Sequence, residues 1–168
     1  LLDGAMSSNL GPRVEPVDAP GSLRTLNVTG RDVRLRAPRP RDDAGAFFAA
    51  FAGADAMWNW MGYGPFPTVA EFHGWMASCL ASDDPRWFVV ERVEDGAPIG
   101  MAALMNLSRE HRRVELGNIW YVPAAQRTTA NTEVTYLAAL EAFEVHRVRR
   151  FEWKCDALNL ASRAAALR

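Results

Sequence analysis

Two hydrophobic periods take turns along this chain. Residues 32–36, Asp-Val-Arg-Leu-Arg, alternate polar and apolar until Pro38, which predicts a first strand. The period then lengthens: Phe47, Phe48 and Phe51 mark the apolar stripe of a helix over 42–51, introduced by Pro40 and broken by Gly53. Thr68 and Glu71 form a capping box for a second helix over 68–82, whose face is Phe72, Trp75, Met76, Cys79 and Leu80. Residues 86–93 and 98–107 read as strands joined by the turn 94–97, and Gly100 predicts a bulge or a close backbone approach. Residues 114–122, β-branched and aromatic, predict a strand that Pro123 ends. Over 131–146, Tyr136, Leu137, Leu140 and Phe143 predict an amphipathic helix with Glu133, Glu141 and Glu144 turned away. Residues 149–156 alternate Phe151, Trp153 and Cys155 against Arg150, Glu152 and Lys154, a half-buried strand, and a last helix begins at 159. Strands in succession, then strand–helix–strand, predict an α/β (α+β) fold on a mostly antiparallel sheet with one parallel pair.

Residues 1–30 carry Gly4, Gly11, Pro12, Pro16, Pro20 and Gly21 with little periodicity, so they read as an irregular arm before a single domain at 31–168. A formal net charge of −1 gives no electrostatic case for nucleic acid or an anionic membrane. Cys79 and Cys155 lie far apart with no Cys-x-x-Cys, which argues against a metal site or a disulfide framework. Neither a signal peptide nor an apolar run near membrane-spanning length is legible, and the expected location is cytoplasmic.

The chemistry concentrates between the strand at 114–122 and the helix after it. Gln126-Arg127-Thr128-Thr129-Ala130 is a polar connection without an acid, leading into a helix whose first-turn N–H groups lack partners. Those groups, the helix dipole, Arg127 and the hydroxyls of Thr128, Thr129 and Thr132 suit a phosphate or pyrophosphate. The alternative is an ordinary threonine-capped loop. Neither Gly-x-x-x-x-Gly-Lys nor Gly-x-Gly-x-x-Gly is present. Met57, Trp58, Trp60, Met61, Tyr63 and Phe66 crowd one stretch, either as an acceptor wall or as a cap on the core.

Residues 126–131 resemble the Gln/Arg-x-x-Gly-x-Gly/Ala pyrophosphate loop of the GNAT acyltransferase superfamily, with Thr129 and Asn131 in place of its glycines. Glu115 stands eleven residues before Gln126, where histone-type members carry a general base. The run from Asp156 to Ala165 is similar to the superfamily's Asn-x-x-Ser-x-x-Ala segment. Trp60-Met-Gly-Tyr-Gly-Pro-Phe and Gly100-Met-Ala resemble the RimJ/RimL-like branch, with its many uncharacterised bacterial members. From residue 30 to 168 the chain thus looks like a RimJ/RimL-like GNAT N-acetyltransferase.

The resemblance implies a mixed sheet with a splayed parallel pair flanked by helices, and acetyl-CoA as acyl donor without a metal. It implies pyrophosphate binding by Gln126, Arg127, Thr128, Thr129, Ala130, Asn131 and Thr132, and a pantetheine arm along Tyr121 and Val122 with Asn159. Trp58, Trp60, Tyr63 and Phe66 would form the acceptor side. Glu115 would be the base, or else a strand glutamate facing solvent; Ser162 would be the acid, or else, like Asn159, part of a helix cap. Simple alternation puts Glu115 on the face of Gly117, Ile119 and Tyr121, opposite Val114, Leu116 and Trp120. The expected reaction moves an acetyl group to a primary amine, a protein N-terminus or a small molecule, by direct attack. A degenerate domain that binds CoA or a partner without catalysis is the alternative, and an unrelated α/β nucleotide-phosphate binder is a third reading. Family members continue with two more strands, so the domain is expected to be incomplete at its C-terminus. The strand around Phe151 would then be an open edge, which makes a homodimer a further expectation.

Overall fold

A computed structural model describes residue 18 and residues 21–168. Most of the arm expected at 1–30 lies outside the described residues. Where it is described it joins the domain: Leu23 and Leu26 are buried, and Val28–Thr29 forms a short strand, β1. Strands β2 (Val33–Arg36), β3 (Arg86–Arg92), β4 (Pro98–Ser108), β5 (Arg113–Tyr121) and β6 (Arg150–Glu152) follow it in one sheet of sequential order. Every neighbouring pair is antiparallel except β5 and β6, which are parallel. Helix α3 (Ala130–Leu140) makes that crossover on one face, while α1 (Pro40–Ala50) and α2 (Val69–Ala81) cover the other; α4 (Leu160–Ala166) follows β6.

The face under α1 and α2 is an aromatic layer. Trp120 lies 4.9 Å from Phe47 and 5.2 Å from Trp58 between ring centroids, and Phe51 and Phe72 complete the group. Such edge-to-face contacts add about 0.5–1.5 kcal/mol each to the burial itself. Thr68 caps α2 by accepting from the Glu71 N–H, as the sequence predicts, though Leu80 is exposed rather than part of the buried face. Buried Arg36 ties the sheet to α1 through Asp43 and β2 to β3 through Glu91. Burial alone works against its charge, and those two carboxylates outweigh it, raising its pKa.

Helix α3 differs from its predicted stripe. The buried residues are Ala130, Val134, Leu137, Ala138 and, in a following π-helical turn, Ala142, whereas Tyr136, Leu140 and Phe143 are exposed. Small residues let the helix lie close to the sheet. Glu133 is not turned away either: its carboxylate accepts the backbone N–H groups of Arg31, Asp32 and Val33, fixing the turn between β1 and β2.

Candidate active site

Two asparagines organise the centre of the sheet. Asn106 on β4 and Asn118 on β5 both adopt positive φ, 54° and 55°, a conformation asparagine tolerates better than most residues. Each coincides with a shift of register. Met105 and Ser108 face Glu115 and Arg113, so β4 carries an extra residue; Met101 and Ala103 face Trp120 and Gly117, so β5 carries one too. Residues directly opposite one another share a face of the sheet. The bulge at Asn118 therefore puts Trp120 on the face of Glu115 and Gly117 and sends Tyr121 to the other. This corrects the simple alternation, which groups Tyr121 with Glu115 and Trp120 against it.

Glu115 is 6% exposed, so it is no solvent-facing glutamate. Its Oε2 accepts from Asn106 Nδ2 at 3.0 Å and from Lys154 Nζ at 2.6 Å. Lys154 also reaches Glu152 at 2.9 Å, and Arg113 and Arg150 close the network around Glu152. Glu115 is the last residue of β5 paired to β6, opposite Glu152. Beyond it the strands part: the predicted strand over 149–156 stops at Glu152, and Trp153 leaves the ladder.

The parting opens a cleft of about 390 Å³. Ile119, Trp120 and Tyr121 form one wall, Trp153 and Ser162 the opposite one, and Ala56, Met57, Trp60 and Met61 close one side. Of the predicted acceptor residues, Trp60 lines this cleft and is half exposed. Trp58, Tyr63 and Phe66 instead pack into the aromatic layer; Trp58 is buried against Trp120, and Tyr63 stacks near Trp75 at 4.6 Å. Burial pushes the Tyr63 phenol up and keeps it protonated. Met57 and Met61, from the same crowded stretch, line the cleft with Trp60, and only the fold separates wall from core.

The loop 126–129 is exposed at the end of the cleft. Gln126, Arg127, Thr128 and Asn131 line the cleft, with Arg127 at a φ of 62°. Thr129 and Ala130 line a second hollow with Arg31 and Arg92, and Thr132 faces a third beside Tyr136. Several predicted ligand groups already have partners. Thr128 Oγ1 donates to Ala125 O and accepts the Ala130 N–H; the Gln126 amide donates to Tyr121 O; the Val122 N–H donates to Ile99 O on β4. The N–H groups of Asn131 and Thr132 find no acceptor among the described residues. With those donors, Arg127 and no carboxylate on the cleft wall, the residues present fit an elongated anionic ligand such as CoA. Asn159 accepts the Ser162 N–H and so caps α4, and it lines the cleft as well. Ser162 Oγ accepts the Trp153 indole N–H at 2.9 Å, which leaves its own proton free to donate.

No His/Cys/Asp/Glu cluster among the described residues has the arrangement of a metal site. Cys79 is buried, its thiol pushed up to about 12 by desolvation, and no helix of the described residues is long and apolar enough to cross a membrane.

Residues 32–168 match the family model described as an acetyltransferase (GNAT) domain. Among solved structures, a GCN5-related N-acetyltransferase from Brucella melitensis is 32% identical, with a TM-score of 0.80 over 95% of this chain and 70% of that one. A probable GNAT-family acetyltransferase from Chromobacterium violaceum is 31% identical, with a TM-score of 0.82 over 96% and 83%. RimJ of Mycobacterium smegmatis, solved in complex with CoA-disulfide, shares the fold at 19% identity, with a TM-score of 0.66 over 80% and 68%. Among curated proteins none matches the sequence.

Proposed function

The chain belongs to the GNAT acetyltransferase family, and we propose that it is an acetyl-CoA-dependent N-acetyltransferase of the RimJ/RimL-like branch acting on a primary amine. The observation that carries this reading is the parting of β5 and β6 beyond Glu115 and Glu152, which leaves one edge of β5 open along the cleft. Bound acetyl-CoA supplies the activated acetyl group. The N–H groups of Asn131 and Thr132, with Arg127, hold its pyrophosphate, and the open edge of β5 offers backbone donors to the arm and to the carbonyl oxygen. Glu115 removes the proton of the attacking amine, and Ser162 returns a proton to the leaving sulfur. Trp60, Met57 and Met61 form a partly apolar acceptor side, suited to a small-molecule or peptide amine. The domain reaches back from residues 31–168 to take in Leu23, Leu26 and β1, and the expected setting is the bacterial cytoplasm.

Calorimetric titration with acetyl-CoA, with free CoA and ATP as controls, tests the cofactor half of the reading. CoA-selective binding that weakens about tenfold in Arg127→Ala is expected; binding of ATP but not CoA overturns it. Glu115→Gln should slow transfer by roughly 100-fold or more with acetyl-CoA affinity retained. A second reading has its own support: the Glu115 carboxylate is already occupied by Lys154 and is absent from the cleft wall, as suits a CoA-binding module without turnover. Measured turnover on any amine of a panel dismisses it.

A further inference from the structure

We propose that Lys154 is an internal acceptor, a side chain that this protein acetylates with its own bound acetyl-CoA, using Glu115 as base. The inference rests on the acetyl-CoA reading above. Arg113, Glu115, Arg150 and Glu152 occupy one face of the β5–β6 pair, Lys154 just beyond β6 reaches both of those carboxylates, and the bulge at Asn118 brings Trp120 to that same face. Trp120 is also a wall of the cleft, where Met57 and Trp60 approach it. Lys154 stands one residue beyond Trp153, which lines the cleft, at the point where the two strands separate.

An acceptor has to bring an amine to the base, and Lys154 does so without a second molecule. Its Nζ lies 2.6 Å from Glu115 Oε2, a carboxylate held in place by Asn106. The two side chains differ in freedom: that of Glu115 is 8% exposed, that of Lys154 57%. A fixed base thus faces an amine on a flexible four-carbon stem that can swing toward the cleft. Lys154 is also the only lysine in the sequence. Hydrogen bonds to Glu115 and Glu152 raise its pKa, so proton removal is uphill and the reaction is a slow single event.

The step balances without any further reagent. Nζ loses two protons; one goes to Glu115 and on to water, and the other ends on the CoA sulfur. The nitrogen lone pair forms the C–N bond to the thioester carbonyl carbon, and the C–S bond breaks with its electron pair on sulfur. The products are an acetylamide at Lys154 and free CoA, and the ammonium is lost from both ion pairs.

The test incubates the full chain with acetyl-CoA, follows intact mass and locates the acetyl group by peptide mapping, with calorimetry of acetyl-CoA on the same sample. One acetyl group on Lys154 is expected, with a rate that falls roughly 100-fold in Glu115→Gln and in the urea-unfolded chain. Binding of acetyl-CoA with Lys154 left unmodified overturns this inference alone. Equal rates in wild type and Glu115→Gln overturn it as well, because the modification is then plain chemical acetylation. Absence of binding overturns both readings. A measurement without acetyl-CoA or any variant stands beside these: the single lysine's ¹³Cε signal should titrate at higher pH in the folded chain than in urea. Coincident midpoints would remove the contact with Glu115 and Glu152 and the inference with it.

Discussion

As far as Glu115, β5 has a neighbour on each edge, and its one carboxylate, Glu115, is buried among Asn106, Met105 and Lys154. Downstream of it the same strand keeps β4 alone, and Ile119, Trp120 and Tyr121 border the cleft. The closed half can hold a buried charge because each partner is supplied from a neighbouring strand or from the segment after β6. The open half can hold an extended ligand because backbone groups on one edge are left without a ladder. The inserted residue at Asn118 follows the change within a few positions, and it decides which side chains the two halves show to the same face. A base and a ligand groove are thereby built from one strand, a few residues apart.

The largest effect is expected at Trp120, the ring that anchors the open half to α1 and α2. Trp120→Ala should lower the unfolding free energy by about 3–5 kcal/mol, read from the urea midpoint at unchanged slope. A loss below about 1 kcal/mol would mean that the aromatic layer does not hold the open half in place. A smaller effect is expected at the hinge between the halves. Asn118→Ala should cost about 1–2 kcal/mol, because alanine resists a positive φ, whereas Asn118→Gly should stay within about 0.5 kcal/mol. If both variants lost the same amount, the Asn118 amide contact with Met105 Sδ, not the backbone, would be the reason for asparagine there.

The smallest effect is expected in the closed half. Glu115 and Glu152 raise the pKa of Lys154 above its ordinary 10.5. A raised cation pKa stabilises the fold fully below the unfolded-state value and ceases to do so as pH climbs through the folded-state value. The stability difference between wild type and Lys154→Met should therefore be constant from neutral pH to about pH 10.5 and shrink above it. Paired urea titrations across the alkaline range check this; a difference that persists there would assign the effect to packing of the lysine stem.

Much of the framework was legible along the chain. The Thr68 cap on α2 and the antiparallel strands at 86–93 and 98–107 follow from local chemistry, and so does the close approach at Gly100. There an added Cβ would stand 2.5 Å from the Trp120 carbonyl oxygen. The candidate site was legible as a list of residues more than as a place. Gln126, Arg127, Asn131, Trp60 and Ser162 do meet at one cleft. Trp58, Tyr63 and Phe66 do not, because aromatic composition is the same for a pocket wall and a core. Asn106 and Asn118 were missed, although asparagine inside an otherwise apolar strand is the signal of a bulge.

Period and punctuation in the sequence thus determined the elements, their order and the polar loop that precedes α3, since each depends on contacts within a few residues. Tertiary structure alone decided the rest. The stripe that α3 buries was set by how closely it approaches the sheet, which favoured Ala130, Ala138 and Ala142 over Tyr136 and Phe143. The company of Glu115 was set by register across three strands: a bulge on β4 supplies Asn106, and the parallel pairing with β6 brings Lys154, thirty-nine positions away, onto its carboxylate.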